Sequence, residues 1–476
     1  MYSKTDFSIK MGNYKTNPFR YSRGVRQGCI LSPLLFNIYI NELPALLDKT
    51  NLLNPFVLPN GEKLSCLLYA DDLILLSQSQ VGLQNSVNTL SHFCSTWNME
   101  INMKKTKVMT FQKKSRRNTQ TQIMFNGNKL ENTNEYTYLG IKMTSSGNFT
   151  VAQEMLKEKA IHAIFSLKRN LNFSKLTCKT ANKLFCTMIE PILTYNSEVW
   201  GAYVKNNFDN WEKNPIEKAH LRYCKLFLGV NKKAINIACR REMGKYPLKL
   251  AIDKKIIKYY TRLNNLPDTA IAKQALNISK QLQQTGASSY VSEISKLIDN
   301  IEDININIST ISTSSLKTIN KKIDANYNTF LNGKLSYSTR LEFLKLIKSK
   351  TEIATYLNDV RNIHFRIALS KLRVSNHSLL IETGRFIQLD RNKRICPHCL
   401  NNTIENELHF LFECSLYEDS RRIFYSKIYE TTKIDLTHIS VSEKIKHLFE
   451  NSNSTTNFYT ANYIYKNFEK RKLLYQ

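Results

Sequence analysis

Residues 64–77 read LSCLLYADDLILLS, and this stretch decides the fold of the N-terminal part of the chain. Apolar runs flank Asp71 and Asp72. The aspartates favour a tight turn, whereas the neighbouring Leu, Ile, Tyr and Cys favour a buried sheet. The pattern therefore predicts a hairpin with two adjacent carboxylates at its tip. Such a pair can bind magnesium for two-metal phosphoryl or nucleotidyl transfer, or it can be a simple solvated turn.

The composition indicates a folded, strongly basic protein. The 476 residues are 42% hydrophobic and carry a formal net charge of +29. Lys and Arg gain affinity for nucleic acids by releasing counterions from phosphates, so we expect a polyanionic partner. A basic protein without a specialised partner is the alternative. The chain begins with a polar stretch and has no apolar run of about 18 residues, so we expect an intracellular protein without a membrane partner.

Upstream of the aspartates, residues 26–33 read RQGCILSP. Ser32 and Pro33 resemble the start of a helix, with Ser as the N-cap and Pro at the first helical position. Apolar residues follow on nearly all sides, so the helix is predicted to be buried and to end with the help of Pro44. Gly28 lets the backbone of the preceding loop approach a ligand closely, or it serves only the turn.

Downstream, the apolar spacing of residues 83–94 predicts a helix. Residues 102–107, NMKKTK, form a basic turn before a short strand, and residues 125–128, FNGN, are typical of a type I′ hairpin turn. A short strand is predicted over residues 136–143, with Gly140 leaving space beside it. From about Val151 the periodicity becomes helical, with stripes that include Leu156 and Leu167 and a second stripe that stops at Pro191.

The stretch from residue 264 to residue 339 contains few aromatics and includes the low-complexity run DININISTISTSSLKTIN. The sequence leaves two alternatives open for it, a loosely packed helical spacer and a linker. Order is expected to return near Arg340, and the last residues predict a basic amphipathic helix.

RQGCILSP, YADD at residues 69–72, NMKKTK and YLG at residues 138–140 occur in an order that resembles the palm of a reverse transcriptase. The resemblance is to the LINE-like enzymes of non-LTR retrotransposons, and it continues through EPILTYNSEVWG and LRYCKLFLGV. It implies an α+β fold with a partial palm of antiparallel sheet and helices, an α-helical thumb-like domain and a small zinc-knuckle region. The predicted divisions are 1–112 (palm), 113–150 (primer-grip-like hairpin and strand), 151–263 (thumb-like), 264–339 (spacer), 340–430 (zinc knuckle) and 431–476 (basic helical tail).

The resemblance also implies catalytic roles. Asp71 and Asp72 match the second catalytic motif and would hold Mg²⁺ in a two-metal site, with Asp71 as the direct ligand. A lysine of the NMKKTK turn would protonate or neutralise the pyrophosphate leaving group. Lys105 is the favoured residue and Lys107 the alternative, and a merely solvated basic turn is also open.

Binding roles follow from the same resemblance. Arg26, Gln27 and Gly28 would contact the incoming nucleotide and the templating base pair. Ala70 would lie beneath the primer terminus, and Tyr69 would pack under the turn. Tyr138, Leu139 and Gly140 resemble the primer grip.

One departure concerns the third carboxylate of the family's metal site, which lies in a strand well upstream of the RQG motif. Asp6 is the only acid among the residues before Arg26, and its polar setting argues against a substitute. We therefore expect this chain to lack the first catalytic motif, the fingers and any N-terminal endonuclease. The chain alone is expected to have little polymerase activity.

Cys396, Cys399, His409 and Cys414 have the spacing C-x2-C-x9-H-x4-C. These residue types can supply four ligands to a tetrahedral, structural Zn²⁺, and reduced thiols without metal are the alternative. His398 lies inside the first loop and is predicted not to be a ligand. The spacing resembles the C-terminal CCHC element of non-LTR reverse transcriptases.

The leading hypothesis is an RNA-directed DNA polymerase fragment that binds an RNA template, a DNA primer or target, and deoxynucleoside triphosphates. The alternative is a noncatalytic nucleic-acid-binding remnant that retains the polymerase scaffold. An intron-encoded maturase shares YADD but fits the CCHC element less well. The nucleus or a cytoplasmic ribonucleoprotein is the expected location.

Overall fold

The computed structural model describes residues 6–20, 24–50, 52–111, 121–204, 208–301, 311–399, 402–450 and 452–474. It divides into two compact units, which we call the N-terminal unit and the helical unit. The N-terminal unit comprises Met1–Asn148 with Leu266–Thr285, and the helical unit comprises Phe149–Asn265 with Gly286–Gln476. The finer divisions predicted from the sequence stay a prediction.

Within the described residues, the strands all lie in the N-terminal unit and are two to four residues long. They are β1 Asp6–Phe7, β2 Lys10–Met11, β3 Tyr14–Lys15, β4 Phe19–Arg20, β5 Phe56–Val57, β6 Lys63–Leu64, β7 Cys66–Tyr69, β8 Asp72–Leu75, β9 Lys107–Val108, β10 Met124–Phe125, β11 Asn128–Lys129, β12 Glu131–Asn132, β13 Glu135–Tyr138 and β14 Ile141–Thr144.

In the described residues, the predicted palm of antiparallel sheet and helices is confirmed in its coarser form, as small antiparallel sheets combined with helices. The strands there form separate two-stranded pairs, β1 with β4, β2 with β3, β5 with β6, β7 with β8, β10 with β11 and β13 with β14, all antiparallel. The remaining pair, β9 with β12, is parallel. Most partners are joined by a tight turn, so the pairing stays local. The coarser expectation of a mixed α and β fold is confirmed.

The helices are α1 Ser32–Ile40, α2 Glu42–Lys49, α3 Gln80–Thr96, α4 Thr150–Asn170, α5 Cys178–Leu184, α6 Glu190–Leu193, α7 Ser197–Trp200, α8 Phe208–Trp211, α9 Pro215–Leu228, α10 Asn236–Glu242, α11 Leu248–Asn264, α12 Ile271–Gln284, α13 Tyr290–Asp299, α14 Leu316–Ser336, α15 Glu342–Ile347, α16 Tyr356–Asp359, α17 Ile363–Arg373, α18 Leu380–Thr383, α19 Glu418–Thr432, α20 Val441–Ile445 and α21 Ser454–Leu473. Helices α1 to α3 and α12 belong to the N-terminal unit. None of the helices in the described ranges combines the length and apolarity needed to cross a membrane.

Helix α1 begins at Ser32, as predicted, with Leu31 rather than Ser32 as its N-cap. The expectation that it is buried all round is wrong, because Leu34 is 57% and Ile38 is 64% exposed. Only one face packs inward, where Phe36 and Ile40 meet a hydrophobic cluster. Pro44 does not end this helix but lies in the first turn of α2, where a missing backbone N–H costs no helical hydrogen bond.

The N-terminal unit has two hydrophobic clusters. The first contains Ile40, Leu43, Leu47, Leu53 and Phe93. The second contains Val87, Val108, Ile123, Phe125 and Leu130. Helix α3 contributes to both clusters and therefore connects the central hairpin to the short strands that follow it.

The helical unit is built around long-range helix pairs, of which α17 with α21 and α4 with α9 are the most extensive. The helical segment whose apolar stripe was predicted to stop at Pro191 instead continues to Leu193. A π-helical turn, Phe185–Ile189, leads into α6, and Pro191 occupies its first turn. Helix α21, predicted as part of a basic tail, packs against α16, α17 and α19 inside the unit.

The described residues between 264 and 339 form α12, α13 and α14, which fit the helical alternative rather than the linker. Ile294, Ile323 and Tyr327 are each at most 1% exposed. Residues 302–310, which include the first eight residues of the low-complexity run, lie outside the described residues.

Candidate functional site

The YADD stretch forms the predicted hairpin. Strands β7 and β8 pair antiparallel with Tyr69 opposite Asp72, so Ala70 and Asp71 form a two-residue turn. Ala70 has a φ of +51°, which the turn requires. Both Asp71 and Asp72 are exposed. The two carboxylates therefore lie at the hairpin tip and can be reached by a solvated cation.

One face of this hairpin is anchored by packing. Cys66, Leu68, Leu73 and Leu75 contact the first hydrophobic cluster. Because side chains alternate along a strand, Tyr69 and Asp72 point to the opposite face. Tyr69 is 64% exposed, so the expectation that it packs under the turn is wrong.

The end of the hairpin is tied to the start of α3. The Ser77 hydroxyl donates to the Leu53 carbonyl at 2.7 Å. A Cβ added to Gly82 would lie 2.1 Å from the same carbonyl oxygen, so glycine is needed for this close approach. Backbone contacts thus fix the hairpin against α3 and leave its tip in solvent.

The RQG stretch forms a turn, as predicted. Gly28 has a φ of +78°, and the Ser32 hydroxyl donates to the Arg26 carbonyl at 2.6 Å. The Arg26 guanidinium lies 5.9 Å from the centroid of the Phe7 ring. Gln27 is exposed. Among the described residues, no hydrogen bond or ion pair joins Arg26, Gln27 or Gly28 to the aspartates.

The NMKKTK stretch also forms a turn, in which the Lys105 amide donates to the Asn102 carbonyl at 3.0 Å. The two candidate lysines differ in their surroundings. Lys107 pairs with Glu131 across β9 and β12. Lys105 is exposed and has no ion-pair partner within the described ranges. The structure therefore leaves the Lys105 ammonium available to a ligand, whereas the Lys107 ammonium has a carboxylate partner.

The segment predicted as a single strand over 136–143 is instead the hairpin of β13 and β14. Leu139 (φ +46°) and Gly140 (φ +80°) form its turn, and two positive φ angles reverse the chain there. Burial, and secondarily the nearby Asp72 carboxylate, raise the pKa of Tyr138. The sequence order alone does not predict this effect of Asp72 on Tyr138.

Asp6 is paired with Arg20 across β1 and β4, with 3.2 Å between its Oδ1 and the arginine Nε. Within the described part of the chain, Asp71 and Asp72 belong to no group of three or more potential metal ligands. The arrangement provides two carboxylates on a rigid hairpin.

The cysteines and histidine of the CCHC spacing converge in the helical unit. The ligand atoms of Cys396, Cys399, His409 and Cys414 all lie within 4.8 Å of one another, and all four residues are buried. The Sγ atoms of Cys396 and Cys414 are 3.8 Å apart. A tetrahedron with Zn–S bonds of about 2.3 Å has an edge of about that length. His398 lies outside the group, as predicted.

A π-helical turn brings His409 and Cys414 together. The turn spans His409–Glu413, and the Cys414 amide donates to the His409 carbonyl at 2.9 Å. Residues five apart lie on different sides of an α-helix of 3.6 residues per turn, whereas an i to i+5 bond places them near each other. The spacing of the two residues along the chain does not predict this turn.

Partners around the cluster orient the histidine. The His409 Nε2 lies 3.3 Å from the Cys399 Sγ, while its Nδ1 contacts the Thr403 hydroxyl at 3.1 Å and a Glu413 carboxylate oxygen at 3.3 Å. Such outer contacts fix the ring so that Nε2 faces the metal position. Burial raises the pKa of the Cys414 thiol to about 12, and a bound divalent metal would instead stabilise the thiolate. Thr403 and Glu413 were not predicted, although Glu413 lies four residues after the histidine.

Residues 1–143 match the family profile described as reverse transcriptase (RNA-dependent DNA polymerase), which covers the YADD hairpin and both turns. The predicted resemblance to a LINE-like reverse transcriptase is confirmed by this match over residues 1–143 together with the relatives below.

Particular relatives agree with this assignment. The chain is 26% identical over 210 residues to a probable RNA-directed DNA polymerase from transposon BS of Drosophila melanogaster, covering 43% of this chain and 22% of the relative. It is 25% identical over 213 residues to the RNA-directed DNA polymerase from mobile element jockey of the same organism, with the same two coverages. A type-1 retrotransposable element R2 Pol polyprotein of Nasonia vitripennis is 36% identical over 90 residues, 19% of this chain and 8% of that protein. The chain thus spans about a fifth of the length of the first two relatives.

Proposed function

We propose that this chain contributes the catalytic hairpin of an RNA-directed DNA polymerase that copies an RNA template onto a DNA primer. The observation that carries the proposal is the exposure of Asp71 and Asp72 at the tip of a hairpin whose other face is packed against a hydrophobic core. Carboxylates held in this way can bind magnesium without themselves supporting the fold. The similarity of residues 1–143 to reverse transcriptases supports the same chemistry.

In the proposed reaction, the primer 3′-hydroxyl attacks the α-phosphate of a deoxynucleoside triphosphate. Bound Mg²⁺ supplies charge stabilisation of the attacking and leaving oxygens. Asp71 is proposed as the direct ligand, and Lys105 as the donor of a proton or charge to the leaving pyrophosphate. The RQG turn and the turn at Tyr138–Gly140 are proposed to contact the nucleotide and the primer, respectively.

Two carboxylates form an incomplete version of such a site, and the described residues supply no third one beside them. We therefore expect the chain alone to bind nucleotide in magnesium but to extend a primer poorly. Efficient extension of a primed RNA template by the purified chain would contradict this expectation.

The test of the function is magnesium-dependent binding of a labelled deoxynucleoside triphosphate. Asp71→Asn removes the charge and preserves the shape, so binding in magnesium should fall at least about tenfold. Glu62→Gln is the matched control, because Glu62 is an exposed acid of the same unit near the β5–β6 turn. Binding that is indifferent to Asp71→Asn would favour the noncatalytic nucleic-acid-binding alternative.

We further propose that the cluster of Cys396, Cys399, His409 and Cys414 is a structural zinc site. The tetrahedral spacing, the four buried ligand atoms and the oriented histidine support zinc over unliganded thiols. The nucleus or a cytoplasmic ribonucleoprotein is the proposed location of the protein.

A further inference from the structure

Five aromatic side chains form a continuous row where α17 and α21 pack together in the helical unit. Their order along the surface is His364, Tyr465, Phe365, Phe458 and Tyr459. Successive ring centroids are 6.1, 5.2, 5.7 and 5.6 Å apart. We call this set the aromatic row. Its spacing lies within the range of direct ring contacts.

The row lies at the surface, although part of each helix is in the core. Phe458 is 40% exposed, His364 is exposed, and the other three rings are partly exposed. The burial between the helices is already provided by residues such as Leu369, Leu372 and Ile464, which are at most 1% exposed. The packing of the helices therefore does not require these half-exposed rings, which present faces or edges to solvent.

The charge around the row is positive. Arg361, Lys427 and Lys466 are exposed, and the Lys427 Nζ lies 5.5 Å from the Tyr459 ring centroid. Two acids lie close by in the chain. Asp359 accepts a hydrogen bond from the neutral Asn457 amide at 2.8 Å and keeps its negative charge, whereas Glu469 pairs with Lys472. The surface combines ring faces with more cations than acids.

We propose that the aromatic row is a stacking platform for the bases of a single-stranded nucleic acid. Every base has a π face, and aromatic rings beside a cationic track bind single strands without needing a particular sequence. A duplex keeps its bases stacked internally and cannot use the rings in this way. The proposal rests on the proposed nucleic-acid function but concerns a surface distinct from the hairpin and from the metal cluster.

Helix α21 connects this platform to the metal cluster. The Tyr463 hydroxyl donates to the Leu411 carbonyl at 2.9 Å, and the Phe468 ring stacks on Phe410 at 4.7 Å between centroids. Leu411 and Phe410 belong to the π-helical turn that holds His409. Tyr465 and Phe468 are three residues apart, which is about 4.5 Å along a helix axis. The aromatic row and the metal cluster are thus connected through the packing of α21.

The experiment measures the affinity of the full chain for a fluorescent oligothymidylate and for a matched DNA duplex. The variant Phe458→Leu with Tyr465→Leu removes two ring faces and keeps apolar volume. Affinity for the single strand should fall about tenfold or more, while affinity for the duplex should change less than about twofold. The salt dependence of single-strand binding should stay the same, because no phosphate contact is removed.

Tyr337→Leu is the matched control, because Tyr337 is 89% exposed and lies just beyond α14. It should leave both affinities unchanged. An independent readout is photocrosslinking of wild-type protein to an oligonucleotide containing 5-iododeoxyuridine, which should label His364, Phe458, Tyr459 or Tyr465. Crosslinks that avoid all five rings, or unchanged single-strand affinity in the folded double variant, would overturn the proposal. Loss of nucleotide binding in Asp71→Asn does not depend on the row, so the two proposals can fail separately.

Discussion

The acids of the YADD hairpin lie in solvent, whereas Glu217 and Glu242 of the helical unit are completely buried. Glu242 accepts from the Arg373 Nε at 2.7 Å and from a second guanidinium nitrogen at 3.1 Å. Glu217 accepts from Arg240 at 2.9 Å and from the Trp211 indole at 2.8 Å. The comparison separates two kinds of carboxylate. The exposed ones are available to ligands, whereas the buried ones already have hydrogen-bond and ion-pair partners inside the protein.

This difference indicates which charged residues can be exchanged without unfolding the chain. An exposed carboxylate keeps its hydration and contributes little to stability. A buried carboxylate has lost its hydration and depends on its partners. Mutations of the exposed acids should therefore separate function from stability, whereas mutations of the buried acids should not.

The largest expected effect is loss of the metal cluster. Cys396→Ser with Cys399→Ser should abolish stoichiometric zinc and destabilise the helical unit by several kcal/mol, because binding energy of a structural zinc is folding energy. Zinc content by mass spectrometry and urea unfolding followed by circular dichroism would measure this. Cys186→Ser, an exposed cysteine outside the cluster, is the control. A double variant that keeps its zinc or its full stability would refute the zinc proposal.

The next largest effect is the loss of stability when the buried pair of Glu242 and Arg373 is broken. Glu242→Gln leaves Arg373 and the neighbouring Lys348 without their counter-charge, at a cost of about 3–5 kcal/mol in the free energy of unfolding. Burial already lowers the pKa of Lys348 to about 8, so part of this cost can be relieved by loss of its proton. Glu352→Gln, at an exposed position, should change stability by less than about 0.5 kcal/mol. Equal unfolding midpoints for the two variants would contradict the structural role of the pair.

A smaller effect is expected from the pH dependence of the free energy of unfolding. Burial opposes the charged form of His220, but Cys224 and Glu217 favour it and raise the pKa of His220 to about 9. A histidine whose pKa is raised on folding stabilises the protein fully below its unfolded pKa of about 6.5, and this contribution is lost as the pH rises through about 9. We expect a loss of the order of 2 kcal/mol between these limits, measured by urea unfolding. His220→Gln should reduce this dependence, and an unchanged pH profile in the variant would argue against it.

The smallest expected effect concerns the hairpin tip. Asp71→Asn should change the free energy of unfolding by less than about 0.5 kcal/mol, because the side chain is exposed and supports no packing. Thermal unfolding of the same preparation used for nucleotide binding would test this. A large loss of stability would mean that Asp71 has a structural role and would remove the contrast between the units.

Local signals in the sequence predicted the elements that depend on local interactions. The hairpin at Asp71 and the turn at Asn126 and Gly127 follow from residues that favour tight turns, and the structure confirms both. Helix α9 likewise ends at Leu228 for a local reason, because Gly229 follows it in the left-handed conformation. The spacing of Cys396, Cys399, His409 and Cys414 predicted that these residues form one group, and the structure brings their ligand atoms together.

Other features depend on contacts that the sequence does not encode locally. Glu242 and Arg373 are 131 residues apart, and neither stands out as a buried charge in its own segment. Leu139 disfavours a positive φ by its residue type, so the hairpin at Gly140 was predicted as one strand. The π-helical turn at His409 has no sequence signature comparable to a glycine or proline.

Helix α21 has a consequence for the synthesis of the protein. It completes the packing of α16, α17 and α19, yet it is translated about 90 residues after Arg373, an interval on the order of ten seconds at ribosomal rates. During that interval the faces of α16 and α17 that pack against α21 are uncovered, while α5 and α9 are already available to their other faces. The nascent chain is therefore a substrate for chaperones that recognise exposed apolar segments, and a ribosome that stalls before residue 454 leaves those faces uncovered.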